Sequence, residues 1–96
     1  MRIVYCISEI IIKKNKIMVK TFVVGILSLF DYKLKLLKIN AENEYEALKK
    51  GMIESCNEKY KQAEINWQNS EEYPKTYKEL VDLLYASDTC VNVIEI

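Results

Sequence analysis

The sequence predicts a single α+β domain: one mainly antiparallel sheet, in the order β-β-β-α-α-β, with two helices packed on one face. Three observations carry that expectation. Residues 2–12, 18–30 and 33–39 are strand-length runs rich in isoleucine, valine, leucine and tyrosine. Tyr45, Leu48, Met52, Cys56, Tyr60 and Ala63 recur at spacings of three and four, the period of an amphipathic helix. Thr76-Tyr77-Lys78-Glu79 is a capping box that opens a second helix after Pro74. The 96-residue chain is half hydrophobic and 29% charged, enough for one core in one domain, 1–96.

Residues 2–12 read as a first strand, and the polar KKNK at 13–16 as a turn. Met18 is followed by a clean strand, so residues 1–17 are either that first strand or an N-terminal extension, with 18–96 as the compact core. Residues 18–30 and 33–39 form a hairpin. A two-residue turn at Asp31-Tyr32 would pair Phe30 with Lys33, Ser28 with Lys35, Ile26 with Leu37 and Val24 with Ile39. Asp-Tyr lacks the glycine that a tight primed turn favours, so a longer loop is the alternative. Side chains alternate between faces along each strand. Val23, Leu27, Leu29, Leu34 and Leu36 share one face, taken as the core side, while Phe22, Val24, Ile26, Leu37 and Ile39 lie on the other. A hairpin apolar on both faces needs a second cover, which residues 1–12 folding back, a partner protein or a second copy of the chain could supply, and the second copy is the expected one. Phe22, Val24, Ile26, Leu37 and Ile39 are therefore the dimer-interface candidates.

The long helix begins at Asn40 or Ala41, where Glu42, Glu44 and Glu46 suit the positive end of the helix dipole. Gly51 weakens its middle by about 1 kcal/mol relative to alanine, which points to close packing against the sheet. In residues 64–77, Ile65 and Trp67 alternate as in a short strand or a tucked loop. The second helix runs from Tyr77 to Ala86 and presents Tyr77, Leu80, Val81 and Leu84 to the core. Residues 90–96 close the chain as a strand beside 18–30 or 2–12.

Charge is unevenly placed although the net is zero. Residues 1–39 carry eight basic side chains against two acids, and residues 40–96 carry six lysines against twelve acids. A basic sheet and acidic helices can complement each other within one fold, or mark a partner surface. Cys6, Cys56 and Cys90 are odd in number and far apart, and there is no histidine. Neither a zinc site nor a disulfide framework is signalled, and no metal or cofactor is expected. The start has no unbroken apolar core of a signal peptide, and the run at 21–30 falls short of the ~20 residues a membrane span needs. The expected location is the cytoplasm.

No phosphate-binding loop, nucleophile elbow or zinc-protease motif is present. Glu42/Glu46 and Glu54/Glu58 are helix-spaced carboxylate pairs without a nucleophile beside them, and read as solvated helix faces. Cys56 lies on an apolar stripe and reads as a core thiol. The sequence thus predicts a protein that is not an enzyme. A basic, aromatic hairpin supports single-stranded nucleic-acid binding through Phe30, Tyr32, Lys33 and Lys35. The pI of 6.3 and the edge-protecting use of lysines weigh against it. Mimicry of DNA by the acidic helices is interrupted by Lys49, Lys50, Lys59 and Lys61.

The run VKTFVVGILSLFDYKLKLLKINAENEYEALKKG, a hairpin followed by a helix, and SEEYPKTYKELVDLL, a late capped helix, give this Lys/Ile/Asn/Glu-rich chain a resemblance to accessory proteins of phages infecting AT-rich bacteria, anti-CRISPR proteins among them. The resemblance covers residues 18–96. It implies a compact, enzymatically silent, frequently dimeric protein in a bacterial host's cytoplasm, whose target is a larger nucleic-acid-handling host or defence complex. The leading expectation is a stoichiometric inhibitor or adaptor that binds protein through Glu42, Tyr45, Glu46, Trp67 and Tyr73, since aromatic side chains anchor interfaces.

Overall fold

A computed structural model describes residues 19–96. The strand expected at 2–12 lies outside the described residues. Strand β1 (Lys20–Ser28) and strand β2 (Lys33–Ala41) form the hairpin. Helix α1 (Glu44–Ser55), a single 3-10 turn (Glu58–Tyr60), helix α2 (Lys61–Gln68) and helix α3 (Tyr77–Ala86) follow, and strand β3 (Thr89–Glu95) closes the chain. The three described strands are antiparallel in the order β2-β1-β3, so β3 takes its place beside β1. The α+β class and the order of strands and helices are as the sequence predicts. No helix among the described residues is long and apolar enough to cross a membrane.

The hairpin closes through four residues, not two. Ser28 pairs with Lys33, Val24 with Leu37 and Phe22 with Ile39, a shift of two positions from the Asp-Tyr turn register. Tight primed turns ask for left-handed backbone at one or both central residues. Here only Tyr32 is left-handed within the loop, at φ 57°, and four residues span the gap with that one strained position. The Leu29 N–H donates to the Asp88 carbonyl at 2.8 Å, tying the loop to the turn between α3 and β3. A shift of two leaves every side chain on its expected face.

The helices cover the other face from the one expected. Phe22, Val24 and Ile26 of β1, Ile39 and Ala41 of β2, and Val93 of β3 are buried with Ala47 and Leu48 of α1, Tyr73, and Leu80 of α3. Leu37 packs against this cluster, half-buried. Phe22, Val24, Ile26, Leu37 and Ile39 therefore build the chain's own core and are not free to form a dimer interface. Val23, Leu27, Leu34 and Leu36, expected inside, lie on the opposite face of the sheet. Close approach explains the choice. A Cβ on Gly51 would sit 2.9 Å from Cγ1 of Val24, so glycine lets α1 rest directly on the central strand at that valine. Ala47 and Ala41 are likewise small and buried.

The long helix is broken in two. Strand β2 continues to Ala41, and Asn43, not Asn40, caps α1, its side chain accepting from the Glu46 N–H at 2.9 Å. The helix stops at Ser55, where Cys56 and Asn57 turn extended. Its last turn holds no basic residue, and cations from elsewhere meet its free carbonyls. Lys61 donates to Ile53 O at 2.9 Å and to Glu54 O at 3.3 Å, and Lys35 donates to Ser55 O. Ile65 and Trp67 belong to α2, not to a strand or loop. Helix α3 spans the expected residues, with Thr76 Oγ1 accepting from the Glu79 N–H. The Glu79 carboxylate takes the N–H of Lys75, one residue before the position a closed capping box would use.

Candidate interaction surface

Among the described residues, helices pack on one face of the sheet only. Its other face presents Val23, Gly25 and Leu27 from β1, Leu34, Leu36 and Lys38 from β2, and Cys90, Asn92 and Ile94 from β3, as the register dictates. Leu34, Leu36 and Ile94 are 61%, 68% and 54% exposed. Antiparallel sheets covered on one side ordinarily turn polar residues to water on the other, and in these three strands' inner rows Lys38 is the single charge. At the centre of the face, Gly25 has no side chain. It leaves a shallow hollow of about 270 Å³ lined by Leu27, Leu34, Leu36, Cys90 and Asn92. Gly25 and the β3 members were missed at the level of sequence. A glycine in the middle of a strand is the one signal that marks such a spot.

The candidates on the helical side divide. Tyr45, Trp67 and Tyr73 do come together. The Trp67 and Tyr73 rings meet edge to face with centroids 5.4 Å apart, and the Lys49 ammonium lies 5.1 Å from the centre of Tyr45 and 6.0 Å from that of Tyr73. The Tyr45 hydroxyl donates to Pro74 O at 2.6 Å. Tyr73 is a core residue, so its expected role as a contact is corrected. Burial pushes its phenol well above the usual value, reinforced by Glu64 and Tyr45. Tyr45 is half-buried and its phenol is also raised, by burial first and then by Glu46 and Glu79. Only Trp67 keeps a sizeable exposed surface in this cluster, while Glu42 is exposed and Glu46 half-buried at the start of α1.

The hairpin tip presents Phe30 and Tyr32, 88% and 80% exposed, next to an exposed Lys33. Asp31 lies between them in sequence, its carboxyl held below the usual range chiefly by a hydrogen bond with the Ser28 side chain. Lys35 does not join this group, because its ammonium is engaged at the end of α1. The outer edge of β2 is partly closed, since Lys50 donates to the Asn40 carbonyl at 2.9 Å. Cys56, expected in the core, is only half-buried just past the end of α1; it donates to Met52 O, and burial, reinforced by Glu64, raises its thiol pKa. Among the described residues no three carboxylates or thiols converge as metal ligands. The chain matches no family model, no curated protein and no solved structure.

Proposed function

We propose that this protein is a non-catalytic protein-interaction module, acting stoichiometrically as an inhibitor or adaptor, and that its apolar contact with other protein is the uncovered face of the sheet. One observation carries the reading: Leu34, Leu36 and Ile94 stand more than half exposed on a face with a single charge. Contiguous exposed apolar surface on a small domain marks an interaction site. Covering side chains of this kind contributes about 1.5–3 kcal/mol each when burial is complete, and roughly half of that here, since part of each is already covered. The likeness to phage accessory proteins supplies the target class, a host or defence complex that handles nucleic acid in the bacterial cytoplasm. The acidic residues at the start of α1, Glu42 and Glu46 among them, are the surface that would meet its basic parts.

The test is isolation of the tagged chain from bacterial cells, beside a variant carrying Leu34→Glu and Leu36→Glu. A protein recovered in stoichiometric amount with the natural chain and lost with the variant is the expected result. Recovery of nucleic acid alone would overturn the reading.

A second reading has its own observation, the exposed Phe30 and Tyr32 rings beside Lys33 at the hairpin tip. Aromatic platforms of this kind stack unpaired bases, each worth about 1–3 kcal/mol. Labelled single-stranded DNA or RNA would then bind with strong salt dependence, and Phe30→Ala would weaken it by about 5–150-fold. Binding that ignores both salt and this substitution would remove the hairpin from consideration.

A further inference from the structure

We propose that the outer edge of β2 is a docking edge for an extended acidic segment of the partner protein, which joins the sheet as a further strand beside β2. The proposal rests on the interaction-module reading and gives it a second contact, made through main chain and not through the uncovered leucines. Among the described residues β2 ends the strand order, and β1 pairs with its inner side alone. Two hydrogen bonds fix which of its backbone groups look outward. The Asn40 carbonyl accepts from Lys50 at 2.9 Å. The carbonyl of Thr21, its cross-strand neighbour, accepts from the Ile96 N–H at 3.0 Å, on the β3 side. Thr21 and Asn40 therefore turn their polar backbone away from each other. Exchanging and non-exchanging pairs alternate along an antiparallel ladder. Leu34, Leu36 and Lys38 accordingly point N–H and C=O outward too, while Lys33, Lys35, Leu37 and Ile39 bond to β1. Lys50 closes the row at Asn40. Among the described residues, the three N–H and three C=O groups of Leu34, Leu36 and Lys38 have no hydrogen-bond partner, and they are the set an added strand satisfies.

Beside this edge, β2 and α1 leave a groove of about 570 Å³ lined by Leu37, Ile39 and Ile53 together with Lys38, Lys50 and Glu54. Every second side chain of an added strand would face the helix side and reach it. Charge names the occupant. From Lys33 to Asn40 the strand carries three lysines and no acid, and Lys50 joins them from α1 against Glu54. Lysines along an edge repel strands of their own sign and accept an acidic one. A second β2 would set lysines opposite lysines. Residues 1–18 carry four basic side chains and one acid, so the start of this chain is mismatched in the same sense. A strand bearing carboxylates is matched.

Amide exchange and NMR titration of the full chain test this, with a blocked peptide of alternating glutamate and valine as probe and its lysine-for-glutamate counterpart as control. In the free chain the amides of Leu34, Leu36 and Lys38 should exchange fast, and those of Lys35, Leu37 and Ile39 slowly. The glutamate peptide should slow the first three by at least about tenfold, and the lysine peptide should leave them unchanged. Lys38→Pro deletes one outward N–H and no ladder bond, a change an edge strand tolerates. It should abolish binding with Leu37 and Ile39 still slow to exchange, whereas Lys38→Gln keeps the N–H and should weaken binding only about two- to fivefold. Lys33→Glu with Lys38→Glu, both exposed, should reverse the preference between the two peptides.

Slow exchange of the three outward amides in the free chain would overturn the proposal, the edge then being occupied already. Equal binding of both peptides, no binding at about 1 mM, or a folded Lys38→Pro that binds as the natural chain does would overturn it as well. None of these outcomes touches capture of protein by the uncovered face, which stands or falls by Leu34→Glu with Leu36→Glu, so the two failures are told apart.

Discussion

Replacing Gly51 by alanine sets helix propensity against packing, and the distances decide the sign. Alanine in the middle of α1 would gain about 1 kcal/mol over glycine. Its Cβ, however, would lie 2.9 Å from Cγ1 and 3.3 Å from Cβ of Val24. Val24 is wholly buried on the central strand, between β2 and β3, so neither it nor the strand can give way cheaply. Overpacking of this kind costs about 1–3 kcal/mol. Gly51→Ala should therefore destabilise by about 1 kcal/mol net, a fall in melting temperature of roughly 4–8 °C for a domain of this size. Val24→Ala removes both γ-methyls at a cost of about 2 kcal/mol. In that background Gly51→Ala should become stabilising by about 1 kcal/mol. Equilibrium urea unfolding of the four proteins, with unchanged m, reads the coupling of about 2 kcal/mol as a double-mutant cycle. If Gly51→Ala stabilises the natural chain, or acts equally in both backgrounds, α1 does not rest on β1 through this glycine and the account of which face is buried fails.

The caps and helix ends give further outcomes. Asn43→Ala and Thr76→Ala each remove an observed bond to a first-turn N–H, and each should cost about 1 kcal/mol in urea unfolding; no loss at either site would show that the cap is not formed in solution. Lys61→Met deletes the donor to Ile53 O and Glu54 O. It should cost about 1 kcal/mol and speed amide exchange at the end of α1, with the start of that helix unaffected. The tyrosines predict alkaline behaviour. Burial raises the phenol of Tyr73 above its unfolded value, so the folded state holds that proton more tightly. Its contribution is fully present below pH ~10 and is lost as pH climbs toward the folded value, with a slope of up to about 1.4 kcal/mol per pH unit. Tyr73→Phe should flatten this fall in stability above pH ~10; an identical fall in the variant would assign it to other groups.

How far the sequence reaches is clear from individual elements. Local chemistry placed α3 to the residue: Pro74 ends what precedes it, Thr76 caps, and Tyr77–Ala86 is the helix observed. The apolar runs at 18–30, 33–39 and 90–96 placed three strands, because period two and β-branched composition are properties of each segment alone. The need for close approach at Gly51 was legible too. The stripe through Cys56, Tyr60 and Ala63 continued past Asn57 without a break, yet the helix does not, because the ammonium groups of Lys35 and Lys61 arrive from elsewhere in the chain to satisfy its end.

The largest reversal concerns the two faces of the hairpin, and with them the candidate site. Alternation assigns Phe22, Val24, Ile26, Leu37 and Ile39 to one face and Val23, Leu27, Leu34 and Leu36 to the other, and both sets are apolar. Nothing local ranks them, since each segment's period is satisfied either way. The choice is made where α1 meets the sheet: Gly51 fits against Val24, Val93 of β3 joins the same side, and the leucines are left facing out. Sequence by itself determined which residues share a face. Only the packing of helix on sheet decided which face is core and which faces away from the helices, because that depends on shape matched between segments far apart in the chain.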